Sequence, residues 1–338
     1  MSTKNDVQSK KSAETVQDSN NQTWRIQPPM AESKYDCIVI GAGPAGLSAG
    51  LFLGRYRHRV LILHHNSPRN IYSHGVHGFL GHDGIAPADL LAKGREEVLA
   101  YGADIVEACA TGVEQTAGMF KVTTTIDESA GPVFTSERLL LATGLRDLTP
   151  DCRGFRDFYG TSVQHCPDCD GFEVSNKQVA VLSHGEHAVG FTMNLLTWTD
   201  KLILLTDGHR HELAKAHRAK LDEFDIPIRD EKISSLEGDL KSGQLNRVCF
   251  VEGQDHECDA LFFNLGTQPA NDLHEQLACR LENGLVWVDR TQQTSVSGVY
   301  AAGDITPNSQ LAVVAAAEGA MAAIHMHQSL IPEARKIS

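Results

Sequence analysis

Short runs of β-branched and other apolar residues recur along the chain, each closed by glycine or polar positions. The first clear one, Tyr35-Asp36-Cys37-Ile38-Val39-Ile40, has the profile of a strand buried on both faces. It enters Gly41-Ala42-Gly43-Pro44-Ala45-Gly46, helical spacing continues to about Tyr56, and a second apolar run occupies Val60 to Leu63. Strand, glycine turn, helix and strand within about 30 residues predict a dinucleotide-binding βαβ unit. Ala86 to Tyr101 carries Leu90, Leu91, Val98 and Leu99 at helical spacing, and Leu139-Leu140-Leu141 leads into Ala142-Thr143-Gly144. A second strand–turn–helix unit starts at Val179 to Leu182, with Leu202 to Leu205 as its partner strand. His209 to Asp225 predicts an amphipathic helix. Leu261 to Gly266 and Gly298 to Asp304 predict strands ending at glycine, and an Ala-rich helix follows from about Leu311 to Met326. No repeat of solenoid period is present.

A length of 338 residues is about twice an ordinary domain and predicts two. Thirty Lys and Arg against 43 Asp and Glu leave a net charge of −13, which excludes a general nucleic-acid binder and argues against adhesion to anionic membranes. No apolar run approaches the roughly 18 residues of a membrane span. Residues 1–33, rich in Ser, Asn, Gln, Lys and Asp, lack the apolar core of a signal peptide and predict a disordered tail, so the expected location is the cytoplasm.

In the first unit the three glycines have separate tasks: a tight turn, close approach to a pyrophosphate, and close helix–strand packing. An acid for the ribose is expected about 20 residues on, yet no Asp or Glu occurs from Leu47 to His82; His64, His65 and Asn66 stand there instead. The ribose then falls to Asn66 or a neutral histidine. Arg55, Arg57, Arg59 and Arg69 face either phosphate or solvent.

Eight cysteines are too sparse for a disulfide scaffold. Only Cys166-Pro167-Asp168-Cys169 places two close together, at a predicted first helical turn. The helix dipole favours thiolate there, the spacing permits a small disulfide ring, and Asp170 is placed to exchange a proton with a leaving thiol. The competing readings are half a zinc site, which would need two further ligands, and a pair of structural thiols.

Together Gly41–Gly46, Ala142-Thr143-Gly144, Cys166-Pro167-Asp168-Cys169-Asp170-Gly171 and Ala301-Ala302-Gly303-Asp304 resemble the thioredoxin reductases and related FAD-dependent thiol oxidoreductases, over about residues 35–328. The resemblance implies an α/β fold of two Rossmann-like domains of the three-layer ββα type. A discontinuous FAD domain (34–147 and 268–332) would enclose a NAD(P)-binding-like domain (148–267) that carries the redox pair, with a short tail at 333–338. It implies Gly41, Gly43, Pro44, Ala45 and Gly46 at the FAD pyrophosphate, Asp304 with Gly303 at the ribityl chain, and Leu311 and Ala312 at the helix end facing the flavin. Asn66, Asn70 and Gly144 complete the cofactor set. Cys169 would meet the flavin, Cys166 would attack substrate, and Asp170 would be the acid/base. Implied partners are a thioredoxin-like protein or a small dithiol or disulfide, in a homodimer.

Three departures modify this picture. At the second glycine turn the chain reads Ser183-His184-Gly185-Glu186-His187-Ala188, and Asp207 stands about where an acid binds a free ribose 2′-hydroxyl. NADPH is therefore disfavoured, and NADH fits better if a nicotinamide binds at all. Gln310-Leu311 replaces the family's Arg-Gln pair. The segment Arg69-Asn70 with His77 to Gly84 is more similar to the dithiol oxidases that pass electrons from flavin to oxygen. Alternatives to a nicotinamide-fed reductase are thus such an oxidase, or a reductase fed by ferredoxin or a second flavin; a non-catalytic redox sensor is a further reading. His74, His77 and His82 lack matching carboxylates, and no metal is expected.

Overall fold

In the computed structural model the described residues are 34–185, 187–209 and 213–335, together with the backbone of 15–17 and 23–25. The first parallel sheet runs in the order Asp104–Glu107, Val60–His64, Lys34–Ile40, Ser129–Leu141, Val299–Ala301. Ser129–Leu141 is long because it serves two sets of partners. Its end pairs in parallel with Ile38 to Ile40, while its beginning pairs antiparallel with Met119–Ile126, which in turn pairs with Cys109–Thr116. Strand alternation then splits the core. Ile38, Ile40, Leu61, Leu63, Leu139 and Leu141 pack with Phe120 and Val122 of the meander. Cys37, Val39, Val60, Ile62 and Leu140 pack against the helices Pro44–Arg55, Pro87–Ala100 and Ala312–Leu330. Meander, sheet and helices make three layers, and each fully buried Val, Ile or Leu contributes about 1.5–3 kcal/mol to holding them together.

The same plan recurs in the segment that interrupts the first. Val163–Gln164, Ala260–Asn264, Val179–Ser183, Leu202–Leu205 and Ile228–Arg229 form a five-stranded parallel sheet. A three-stranded meander, Ile233–Asp239, Gln244–Phe250 and His256–Glu257, covers one face with Leu236 and Val248. The helices His187–Leu195 and Lys215–Glu223 cover the other. Leu145–Asp147, leaving the first unit, pairs antiparallel with Thr267–Pro269, which returns to it.

Some expectations change. Within the predicted disordered tail, Thr15–Gln17 and Thr23–Arg25 form an antiparallel hairpin; the rest of 1–33 lies outside the described residues. The expected C-terminal tail starts with a 3₁₀ turn, Glu333–Arg335, and 336–338 lie outside. The helix predicted from His209 is Lys215–Glu223, because Asp207 and Gly208 adopt left-handed backbone in a turn closed by His209 N–H to Thr206 O. Among the described residues no helix is long and apolar enough to cross a membrane.

Candidate active site

The first glycine turn is fixed by its own backbone. A Cβ on Gly41 would lie 2.1 Å from the Ala142 carbonyl oxygen, and one on Gly46 would lie 1.8 Å from that of Gly41. Gly43 differs: nothing stands within 4 Å of where its Cβ would be. It caps the helix Pro44–Arg55, whose first N–H groups have no partner within the helix. An open approach to free donors at a helix N-terminus fits a pyrophosphate, and so fits FAD. Beyond it, at the end of Val60–His64, the buried His64 Nδ1 has no hydrogen-bond partner. Burial, followed by the charge of Arg95, pushes the His64 pKa down to about 4, so the ring is neutral. Arg95, only 8% exposed although it lies on an amphipathic helix, donates Nη2 to Asn66 Oδ1 at 3.3 Å. This neutral His64, with Arg95 and Asn66, occupies the place where the sequence offers no acid.

A cleft of about 580 Å³ runs from this turn to the redox pair. Every residue expected at the site lines it except Gly46, which is buried. Cys166 and Cys169 form a disulfide. The helix behind them is a single turn, Pro167–Asp170, so the expected dipole of a longer helix is absent. Polarisation comes instead from the Cys169 N–H, which donates to Cys166 Sγ at 3.1 Å. Burial, and then the charge of Glu173, raise the Asp170 carboxyl to about 6, while His77 opposes them.

Arg69 anchors the carboxylate, that of Asp147, through which the two units meet. It is neither on a phosphate nor in solvent: Nε donates to Asp147 Oδ2 at 3.0 Å and Nη2 to Asp147 Oδ1. Its Nη1 donates to Asp304 Oδ2 at 3.0 Å and to Gln310 Oε1 at 2.6 Å. Tyr159, from the inserted unit, donates its hydroxyl to Asp147 Oδ2 at 2.6 Å. His165, next to Cys166, lies 3.9 Å from the same carboxylate, and burial, then Arg69, lower its pKa. One Asp304 oxygen is thus committed to Arg69; Oδ1 accepts from none of the described residues. Sequence reasoning missed Asp147, Tyr159 and His165; the only local signal was the adjacency of His165 to Cys166. Arg55 donates to Tyr101, and Arg59 lies over the Tyr35 ring.

At the second turn the reading of Asp207 is corrected. Its carboxylate accepts from Lys232 Nζ at 2.7 Å and from the Ile233 N–H at 2.8 Å, which pins the start of Ile233–Asp239 rather than presenting an acid to a ribose. The His184 and His209 rings stack at 4.5 Å across the ends of the two strands. Glu186 lies outside the described residues.

A family model described as pyridine nucleotide-disulphide oxidoreductase matches residues 35–319. The thioredoxin reductase of Treponema pallidum is 28% identical over 303 residues, covering 86% of this chain and 96% of that one. A Leptosphaeria maculans protein named thioredoxin reductase sirT is 29% identical over 285 residues, covering 80% and 87%. Among solved structures, an oxidoreductase from Agrobacterium tumefaciens is similar with a TM-score of 0.79 at 31% identity, covering 89% of this chain and 100% of that one.

Proposed function

The chain belongs to the pyridine nucleotide-disulphide oxidoreductase family, as an oxidoreductase acting on disulfide groups, and we propose that Cys166 and Cys169 pass electrons between FAD in the first cleft and a dithiol or disulfide substrate. The observation that carries this is the shared cleft: the disulfide and Asp170 line the same space as the Gly41–Gly43 turn and Asp304. In this reading 34–147 with 268–332 holds FAD, 148–267 presents the disulfide, and the substrate is a thioredoxin-like protein or a small dithiol.

FAD, when bound, supplies two-electron oxidation or reduction of the cysteine pair. In the dithiol-oxidising direction a substrate thiolate attacks Cys166 Sγ, the S–S bond breaks, and Cys169 leaves as thiolate. The second substrate sulfur then displaces Cys166 Sγ, closing the substrate disulfide. The dithiol has lost two electrons and two protons. Both electrons rest on the cysteines, one proton on Cys166, and the other is taken by Asp170. Reduction of a disulfide runs these steps backwards.

Asp170 accepts that proton only when ionised, so dithiol oxidation is expected to fall as pH drops through about 6. Asp170→Asn is expected to remove that limb and slow turnover by about 10²–10⁴-fold. A pH profile of dithiol consumption for both proteins checks this.

For the electron route, the His184–His209 stack at the second turn favours a source or sink other than NADPH, and the committed Asp207 carboxylate removes the ribose acid that favoured NADH. Such routes are oxygen, as in a dithiol oxidase, ferredoxin, or a second flavin. In anaerobic mixing with the FAD-loaded protein, NADPH is expected not to bleach the flavin rapidly; rapid bleaching would sink this part. Peroxide formed from dithiothreitol in air, and lost in Cys166→Ser, would select the oxidase.

A further inference from the structure

We propose that Trp198 holds the Cys166–Cys169 turn closed, and that its contact sets how readily the disulfide is reduced. This rests on the cysteine pair exchanging electrons with thiols as above. The turn has little stability of its own. Pro167–Asp170 is four residues long, and the cost of starting a helix is not recovered over a single turn. Asp170 N–H to Cys166 O at 3.1 Å and Gly171 N–H to Pro167 O at 2.8 Å close it through the backbone. While the disulfide is intact, the S–S bond closes it as well. Once the pair is reduced, packing from outside the turn takes over that task.

That packing falls on Gly171. A Cβ there would lie 2.6 Å from both Cδ2 and Cε3 of Trp198, so the indole rests directly on the glycine backbone, two residues after Cys169. Trp198 reaches this place from the turn that follows the helix His187–Leu195, where its N–H donates to Leu195 O at 3.0 Å. The half-buried ring packs against the core of the inserted unit that contains Val174 and Leu195. Its backbone also grips the chain beyond the redox turn. Trp198 O accepts the Asn176 N–H at 3.1 Å, and Thr199 Oγ1 donates to Lys177 O at 2.7 Å. The segment 166–177 therefore hangs between Val163–Gln164, paired in the parallel sheet, and a clamp centred on Trp198. Two thiols held close and oriented form a disulfide more readily than a loose pair. By the reciprocity of linked equilibria, a contact that favours the closed turn favours the disulfide, and its loss favours the dithiol. Trp198 does not line the cleft, so it acts on substrate through the turn. It is a positioning residue for Cys166 and Cys169.

The test is an anaerobic titration of the FAD-loaded protein in mixtures of reduced and oxidised dithiothreitol, with Cys166 and Cys169 scored by thiol alkylation and mass. Trp198→Leu keeps an apolar side chain against the core and removes the ring from Gly171. It is expected to lower the equilibrium constant for forming the disulfide about tenfold, a shift of about 30 mV toward easier reduction. A constant within about twofold of the parent overturns the proposal, as does a shift toward harder reduction. A lowered thermal midpoint with an unmoved constant also overturns it, since the tryptophan would then only fill the core. If Trp198→Leu does not hold FAD, Trp198→Met, which fills more of the ring's volume, is read by the same outcomes. Parent cysteines that do not titrate with dithiothreitol would sink the thiol chemistry itself, which is distinct from a titrating parent on which the Trp198 variant superimposes.

Discussion

Serine at Cys166 is expected to lower dithiol turnover by at least about 10³-fold, and serine at Cys169 to do the same. The two sulfurs act as one unit: no exchange with substrate occurs without Cys166, and no disulfide forms to drive it without Cys169. Their losses are therefore not additive, and the double variant is expected to be no slower than either single one. FAD content is expected to stay unchanged, because the glycine turn and His64 lie at the other end of the cleft. Initial rates with dithiothreitol, normalised to bound flavin, check both points. Substantial turnover in either single variant would move the chemistry to another group.

Arg69→Ala is expected to cost about 3–5 kcal/mol of stability, the usual price of leaving a buried charge without its partner. The Arg69 side chain is 12% exposed and that of Asp147 is 5% exposed. Burial works against the Asp147 charge, yet its hydrogen bond from Arg69 and its other partners hold the carboxyl below the ordinary carboxylate range. Its folded pKa is thus depressed, so its stabilisation is present at neutral pH and is lost as pH falls through that depressed value. Removing the guanidinium also frees Asp304 and Gln310, so the lip of the cleft at the Ala312–Leu330 helix loses its tie to the crossover strand. The thermal midpoint is expected to fall by about 4–7 °C. Lysine is expected not to restore it, since an ammonium cannot reproduce the two-pronged contact with Asp147. Arg69→Ala combined with Asp147→Asn is expected to lose less than the sum of the two single changes. A midpoint within about 2 °C of the parent would show that the cluster does not hold the units together.

The glycine turn, the flanking strands and the cysteine pair were legible because each depends on local pattern: apolar runs, turn glycines and a two-residue spacing. Groups joined only by folding were not. Arg69 meets Asp304 across 235 residues, a pairing that no local pattern around Arg69 encodes. Arg95 sits in an amphipathic helix and reads as solvated, yet folding buries it beside Asn66. Asp207 was misread because an offset from a glycine gives a position but not the direction of a side chain; the left-handed backbone there turns it to the Ile233 N–H and Lys232. The resemblance implied a second β layer, but no strand of either meander was picked out from its residues, since half-buried strands rich in Thr, Glu and Gly lack the continuous apolar runs that marked the parallel strands.

The central claim is that electrons pass between flavin and a dithiol only through Cys166 and Cys169. The most direct measurement is anaerobic mixing of the FAD-loaded protein with excess dithiothreitol while the visible flavin absorbance is followed. The parent is expected to lose that absorbance, and Cys169→Ser to keep it. Equal bleaching in both proteins, or none in the parent, would contradict the account.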